Sequence, residues 1–157
     1  MPSFFGPVTV RRVRRASLLV LALVVAGCGG GGGKRLSRSE YASKADAICR
    51  KANEQTRLLK QPSNLAELAK GFDKALPILE NATSKLRKLK PPESAQATVD
   101  RWLAQSDALK RDLEQIRDRA KANDLKGVQS LFKNATRDQQ SVNQLAGKLG
   151  MTVCNKS

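Results

Sequence analysis

From residue 39 onward, apolar residues recur at steps of three and four, the spacing of a single helix face. Tyr41, Ala45, Ile48, Ala52 and Leu59 predict a first helix over about 39–60, started by Ser39 with Glu40 and ended by Pro62; Gln55 interrupts its stripe. Leu65, Leu68, Phe72, Leu76, Leu79, Leu86 and Leu89 predict a second over about 64–90, capped by Ser63 or Asn64. Pro77 falls inside that stripe without shifting its phase, so a kink is expected there and not a break. Pro91-Pro92 marks the clearest boundary. A third helix over about 93–122 follows, with a heptad-like seam of Ala95, Val99, Trp102, Ser106, Leu109, Leu113, Ile116 and Ala120. Asn123-Asp124 ends it and caps a fourth, about 124–149, whose stripe includes Leu125, Val128, Phe132, Ala135, Val142, Leu145 and Leu149. Gly150 is placed as the glycine that terminates this helix, with a non-helical tail beyond.

Four amphipathic helices with short connections predict an all-α fold, an antiparallel up-down four-helix bundle. That order sets the end of the fourth helix beside the start of the first. The tail after Gly150 then runs back along the first helix, which brings Cys154 toward Cys49.

The first 38 residues follow another pattern. Arg11, Arg12, Arg14 and Arg15 precede an apolar run over residues 16–26, the layout of an export signal. A helix of that length spans only about 16 Å, roughly half a bilayer core. The glycines at 29–33, followed by Lys34 and Arg35, cannot extend it into a membrane span. Arg14-Arg15 with Leu18 and Leu19 faintly matches a twin-arginine signal, but Ser17 stands where that motif wants an aromatic residue.

Val25-Ala26-Gly27-Cys28 closes the run and resembles the lipobox of bacterial lipoproteins, with Val25 where leucine is commoner. The resemblance implies a signal peptide over residues 1–27 and acylation, palmitate included, of Cys28 as the mature N-terminus. It also implies a lipid-anchored position on the extracytoplasmic face of the cell membrane. Several acyl chains hold a protein stably where one does so only marginally. Residues 28–38 then form a glycine-rich tether with a reach of about 17 Å, and residues 39–157 form the folded domain. No strand precedes the glycines and no Gly-Lys-Ser/Thr follows them, so they are not a phosphate-binding loop.

Composition narrows the chemistry. The chain carries 29 basic and 14 acidic residues and no histidine. Without residues 1–27 it keeps 25 basic and 14 acidic residues, a net charge of +11. The absence of histidine removes the commonest general base and transition-metal ligand. Glu114 and Asp118 share a helix face but lie among arginines, which reads as solvated helix charge. No catalytic residue, metal or cofactor is expected, and Tyr41 and Trp102 are assigned to packing. Asn81-Ala82-Thr83 and Asn134-Ala135-Thr136 match glycosylation acceptors and carry little weight in a bacterial lipoprotein.

Lys34, Arg35, Arg38, Lys85, Arg87, Lys88 and Lys90 fall at the tethered end of the expected bundle. They are candidates for contact with anionic lipid, although cations also favour helix C-termini. Nucleic acid is not an expected partner, since export separates the two and no aromatic platform is evident.

With Cys28 lipidated, Cys49 and Cys154 remain. An exported domain can oxidise them to a disulfide closing a loop of about 105 residues; two free thiols and an intermolecular bond are the alternatives. Tyr41-x-x-x-Ala45-Asp46-Ala47-Ile48-Cys49, Pro91-Pro92 and Leu149-Gly150-x-x-Val153-Cys154 resemble a group of small secreted or lipid-anchored helical proteins, mostly without assigned roles. That resemblance suggests the Cys49–Cys154 pair and carries over no catalytic residue. The expected role is a binding or scaffold module that contacts an envelope protein, the alternative being a carrier of a small apolar or anionic ligand between the helices. An unfilled pocket beside Trp102 would favour the carrier, and an exposed apolar helix face the scaffold.

One prediction follows from the lipobox alone. Cys28→Ser should abolish acylation and leave the signal uncut by the lipoprotein route, shifting the protein out of its mature mass. An acyl-free native protein, or a mutant of unchanged mature mass, would refute it.

Overall fold

The computed structural model describes residues 34–156. The expected signal peptide, Cys28 and the glycine run lie outside the described residues. The described chain forms α1 (Arg38–Arg57), α2 (Leu65–Arg87), α3 (Gln96–Lys121) and α4 (Leu125–Lys148), with short 3-10 turns at Glu93–Ala95 and Cys154–Lys156. It is all-helical, with no strand among the described residues.

The helix ends follow local chemistry. At α1 the cap is Ser37, two residues before the expected start at Ser39, because a capping box needs its glutamate three residues on. Ser37 Oγ accepts from the Glu40 N–H, and the Ser37 N–H donates 2.8 Å to the Glu40 carboxylate. α1 stops at Arg57, short of the expected residue 60. Pro62 disfavours helical geometry at Gln61, and Leu58, 84 % exposed, has nothing to pack against that would extend the helix. Asn64 caps α2, its side chain accepting from the Glu67 N–H at 2.9 Å.

α2 ends at Arg87 and not at residue 90. Pro91 pushes Lys90 toward extended geometry, and the Lys90 carbonyl accepts from the Leu36 N–H at 2.9 Å. α2 runs through Pro77. The first turn expected of the third helix is a 3-10 turn, and the tail expected to be irregular carries one as well.

Both expected stop signals act through the same geometry. Asn123 at φ 55° and Gly150 at φ 83° occupy the left-handed position. After α3, Asp124 N–H reaches the Arg119 carbonyl and Asn123 N–H the Ala120 carbonyl. After α4, Met151 N–H reaches Ala146 and Gly150 N–H reaches Gly147. Each pair satisfies carbonyls that a helix end otherwise leaves without partners. Asp124 then caps α4 by accepting from the Gly127 N–H at 2.8 Å.

The core falls into two halves. One gathers Tyr41 and Ala45 of α1, Leu86 of α2, Val99 and Trp102 of α3, Ala146 and Leu149 of α4, and Met151 and Cys154 of the tail. The other gathers Ala69 of α2, Ile116 and Ala120 of α3, and Val128 and Ala135 of α4, with Leu68 and Phe72 packed against them. α1 supplies no residue to this second half. α3 packs most extensively on α4, then on α2, and α1 packs on α2. The C-terminal turn packs against both α4 and α1.

Two glycines should respond oppositely to alanine. Gly150→Ala meets only an ordinary contact with Ala42 but is held at positive φ, so it should lose about 1–2 kcal/mol. Gly71 sits inside α2 with open space around it, so Gly71→Ala should gain about 0.5–1 kcal/mol. Urea unfolding midpoints at constant m-value test both signs.

Candidate functional site: a clasped tail and the cavity beside it

Asp46 and Cys49 lie three residues apart on α1, so their side chains share a face. Both act on the same short stretch of tail. The Asp46 carboxylate accepts from the backbone N–H groups of Thr152 (2.8 Å), Val153 (2.9 Å) and Cys154 (3.0 Å), and from the Thr152 hydroxyl at 3.0 Å. It thereby caps the terminal turn Cys154–Lys156 from another element. Three residues on, Cys49 forms a disulfide with Cys154, with Cα atoms 5.3 Å apart, inside the range such a bond requires. The bond closes 105 residues of sequence, a constraint on the unfolded chain of about 4–5 kcal/mol by the chain-entropy argument.

Asp46 is only 8 % exposed and is the one charged residue buried among those described. Burial pushes its carboxyl pKa up, but the N–H groups of Thr152, Cys154 and Val153 and the Thr152 hydroxyl outweigh that, leaving it below the usual value. The hydrophobic pattern gave Asp46 no role. Its signal was a single acid on the same face as a cysteine, in an otherwise apolar stretch.

Beside the disulfide lies a cavity of about 230 Å³ reached by all four helices and the tail. Trp102, Leu86, Leu109, Leu113 and Val142 line it, together with both disulfide cysteines. The space arises from small side chains where helices face each other: Ala52 on α1, Ala82 and Thr83 on α2, and Ser106 on α3. Ser106 occupies a seam position and donates to the Trp102 carbonyl at 2.9 Å. Lys110 reaches the cavity wall but is paired with Glu80.

Trp102, only 2 % exposed, has no hydrogen-bond partner for its indole N–H, nor has Tyr41 for its hydroxyl. Burial, then the charge of Asp100, pushes Tyr41 up to about 12, so the phenol stays protonated.

The seven candidate lipid-facing cations divide into two groups. Arg35 donates to the Pro91 carbonyl (3.0 Å) and the Gln96 side chain (2.8 Å), fastening the segment before α1 to the corner before α3. Arg38 donates to the Lys148 carbonyl at the end of α4, and Arg87 pairs with Asp107 of α3. Lys34, Lys85, Lys88 and Lys90 are exposed. The contacts of Leu36 and Arg38 bring the start of α1 near the ends of α2 and α4, so Lys34, Lys88 and Lys90 gather at one end. Among the described residues no cluster of potential metal ligands occurs, and no helix is long and apolar enough to cross a membrane.

Comparison of the chain with protein-family models, curated proteins and solved structures yields no match.

The clasp makes a pH prediction. The Asp46 pKa is lower folded than unfolded, so its contribution is complete above the unfolded value, near 3.8, and disappears as pH falls through the folded one. Asp46→Asn should cost about 2 kcal/mol at neutral pH, and the difference from wild type should shrink in acid. Urea unfolding measured from pH 7 to pH 2 checks this; a pH-independent difference would contradict it.

Proposed function

We propose that this chain is a lipid-anchored, extracytoplasmic binding protein whose helical domain holds a small apolar ligand in the cavity beside Trp102. The observation that carries this reading is the cavity itself. An apolar hollow of about 150 Å³ is enough to bind benzene; this pocket measures about 230 Å³, is lined mainly by apolar side chains and is partly open to solvent. Its one charged neighbour, Lys110, is neutralised by Glu80, so the interior suits an uncharged moiety and offers no evident catalytic group. The role proposed is carriage, not catalysis.

The anchor in this reading is Cys28, and the tether after it holds the domain within about 17 Å of the lipid. Lys34, Lys88 and Lys90 then face an anionic surface, where each contributes about 1 kcal/mol. The proposed arrangement is an up-down antiparallel bundle with α2 kinked at Pro77, which has no N–H to continue the helix ladder. The Arg38–Lys148 and Leu36–Lys90 contacts support that arrangement. A scaffold role for an envelope protein draws on Leu58, Leu125 and Phe132, the exposed large apolar residues among those described. They are scattered over the end of α1 and over α4, a weaker basis than the cavity.

The chain has one tryptophan, so its emission reports on the cavity alone. Decanol added below its solubility limit should shift Trp102 emission saturably. Ser106→Leu fills the cavity from α3 and should remove the response while helicity by circular dichroism is retained. Unaltered emission in the native protein would reject the reading.

A further inference from the structure

The seam between α2 and α3 is laced by opposite charges: Arg87 with Asp107, Lys110 with Glu80, and Lys121 with Asp73. The seam between α1 and α2 differs. It carries no ion pair among the described residues, and it opens outward as a groove of about 300 Å³. Ile48 and Ala52 of α1 and Ile78 and Ala82 of α2 line this groove. Lys51 stands on its α1 side and Lys85 on its α2 side. No carboxylate lines it; its remaining polar groups are the amides of Gln55 and Asn81. Two like charges therefore share a half-apolar groove with no ion pair to either among the described residues, and an anion between them would turn repulsion into attraction.

The groove and the partly open cavity beside Trp102 also share a wall. Ala52 and Ala82 line both, so two of the smallest side chains in the seam separate a cationic outer site from an apolar inner one. The inner site holds no unneutralised charge, so an anionic group gains nothing by entering it. The two sites are thus complementary to the two ends of one kind of molecule.

We infer that the ligand is a single-chain amphiphile with an anionic head, the head held between Lys51 and Lys85 and the chain passing Ala52 and Ala82 into the cavity beside Trp102. This rests on the cavity being the binding site, as proposed above, and adds the chemical class of the ligand and the residues that select it. A membrane-tethered protein meets such molecules at the surface that anchors it.

The test compares three ten-carbon probes that differ only in the head: decanoate, decanol and decyltrimethylammonium. Each is titrated into the full chain below its micelle concentration, with Trp102 emission as the readout. Decanoate should bind about tenfold more tightly than decanol, and decyltrimethylammonium more weakly than either. In the double variant Lys51→Gln/Lys85→Gln, decanoate should fall to the affinity of decanol while decanol binding stays unchanged. A control that removes the same charge elsewhere, Lys126→Gln/Lys133→Gln on α4, should leave decanoate binding intact. Equal affinities of decanoate and decanol for the native chain would overturn the head site and leave the cavity standing. Loss of decanol binding in the Lys51/Lys85 variant, or equal loss of decanoate binding in the control, would also overturn it, showing a structural or a net-charge effect. If none of the probes moves Trp102, the cavity reading fails and this inference fails with it.

Discussion

Near the start of the fold one carboxylate gathers four hydrogen bonds from its end. Asp46 takes the N–H groups of Thr152, Val153 and Cys154 and the hydroxyl of Thr152, and this fixes where the last residues lie. Much else depends on that placement. It brings Cys154 to Cys49 and buries Met151 and Cys154 among Tyr41, Trp102 and Leu149. It also inserts a strip of chain between α1 and α4, which both pack on the terminal turn. A buried acid is costly unless its acceptor capacity is filled; here donors that would otherwise lack partners at the start of a turn fill it.

The same wedge helps to explain the cavity. α1 gives its large side chain, Tyr41, to one half of the core and nothing to the other. Farther along α1 the inward position is Ala52, facing Ala82 and Thr83 across the seam. With the tail filling one level and only small side chains at the next, the interior there stays open. Close packing is the rule in protein interiors, so an open level framed by a tryptophan and a disulfide marks where this sequence departs from a plain bundle.

Much of the fold was legible in the spacing of apolar residues. The four helices, the turn at Asn123-Asp124, the glycine stop at Gly150 and the boundary at Pro91-Pro92 all stand where local chemistry puts them. The differences fell at helix ends. Lys90 leaves the helix because Pro91 follows it and Leu36 binds its carbonyl, and Leu58 frays for want of a neighbour. The site was less legible. Ser106 in the third seam was a trace of the cavity, but a void is a property of four faces together. Arg35, Arg38 and Arg87 are exposed, and each also reaches a carbonyl or carboxylate distant in sequence, a contact that spacing alone does not reveal.

The bond between Cys49 and Cys154 has a mechanical consequence. Tension applied at the two ends of the folded chain enters through the opening turns of α1, crosses the sulfur bridge and leaves through Asn155. The 105 residues of sequence separating the two cysteines, roughly 350 Å of contour when extended, are bypassed. A protein held at one end and pulled at the other would lengthen by only a few turns of helix. The rest of α1, the other three helices and the cavity among them would be spared the load for as long as the bridge stays oxidised.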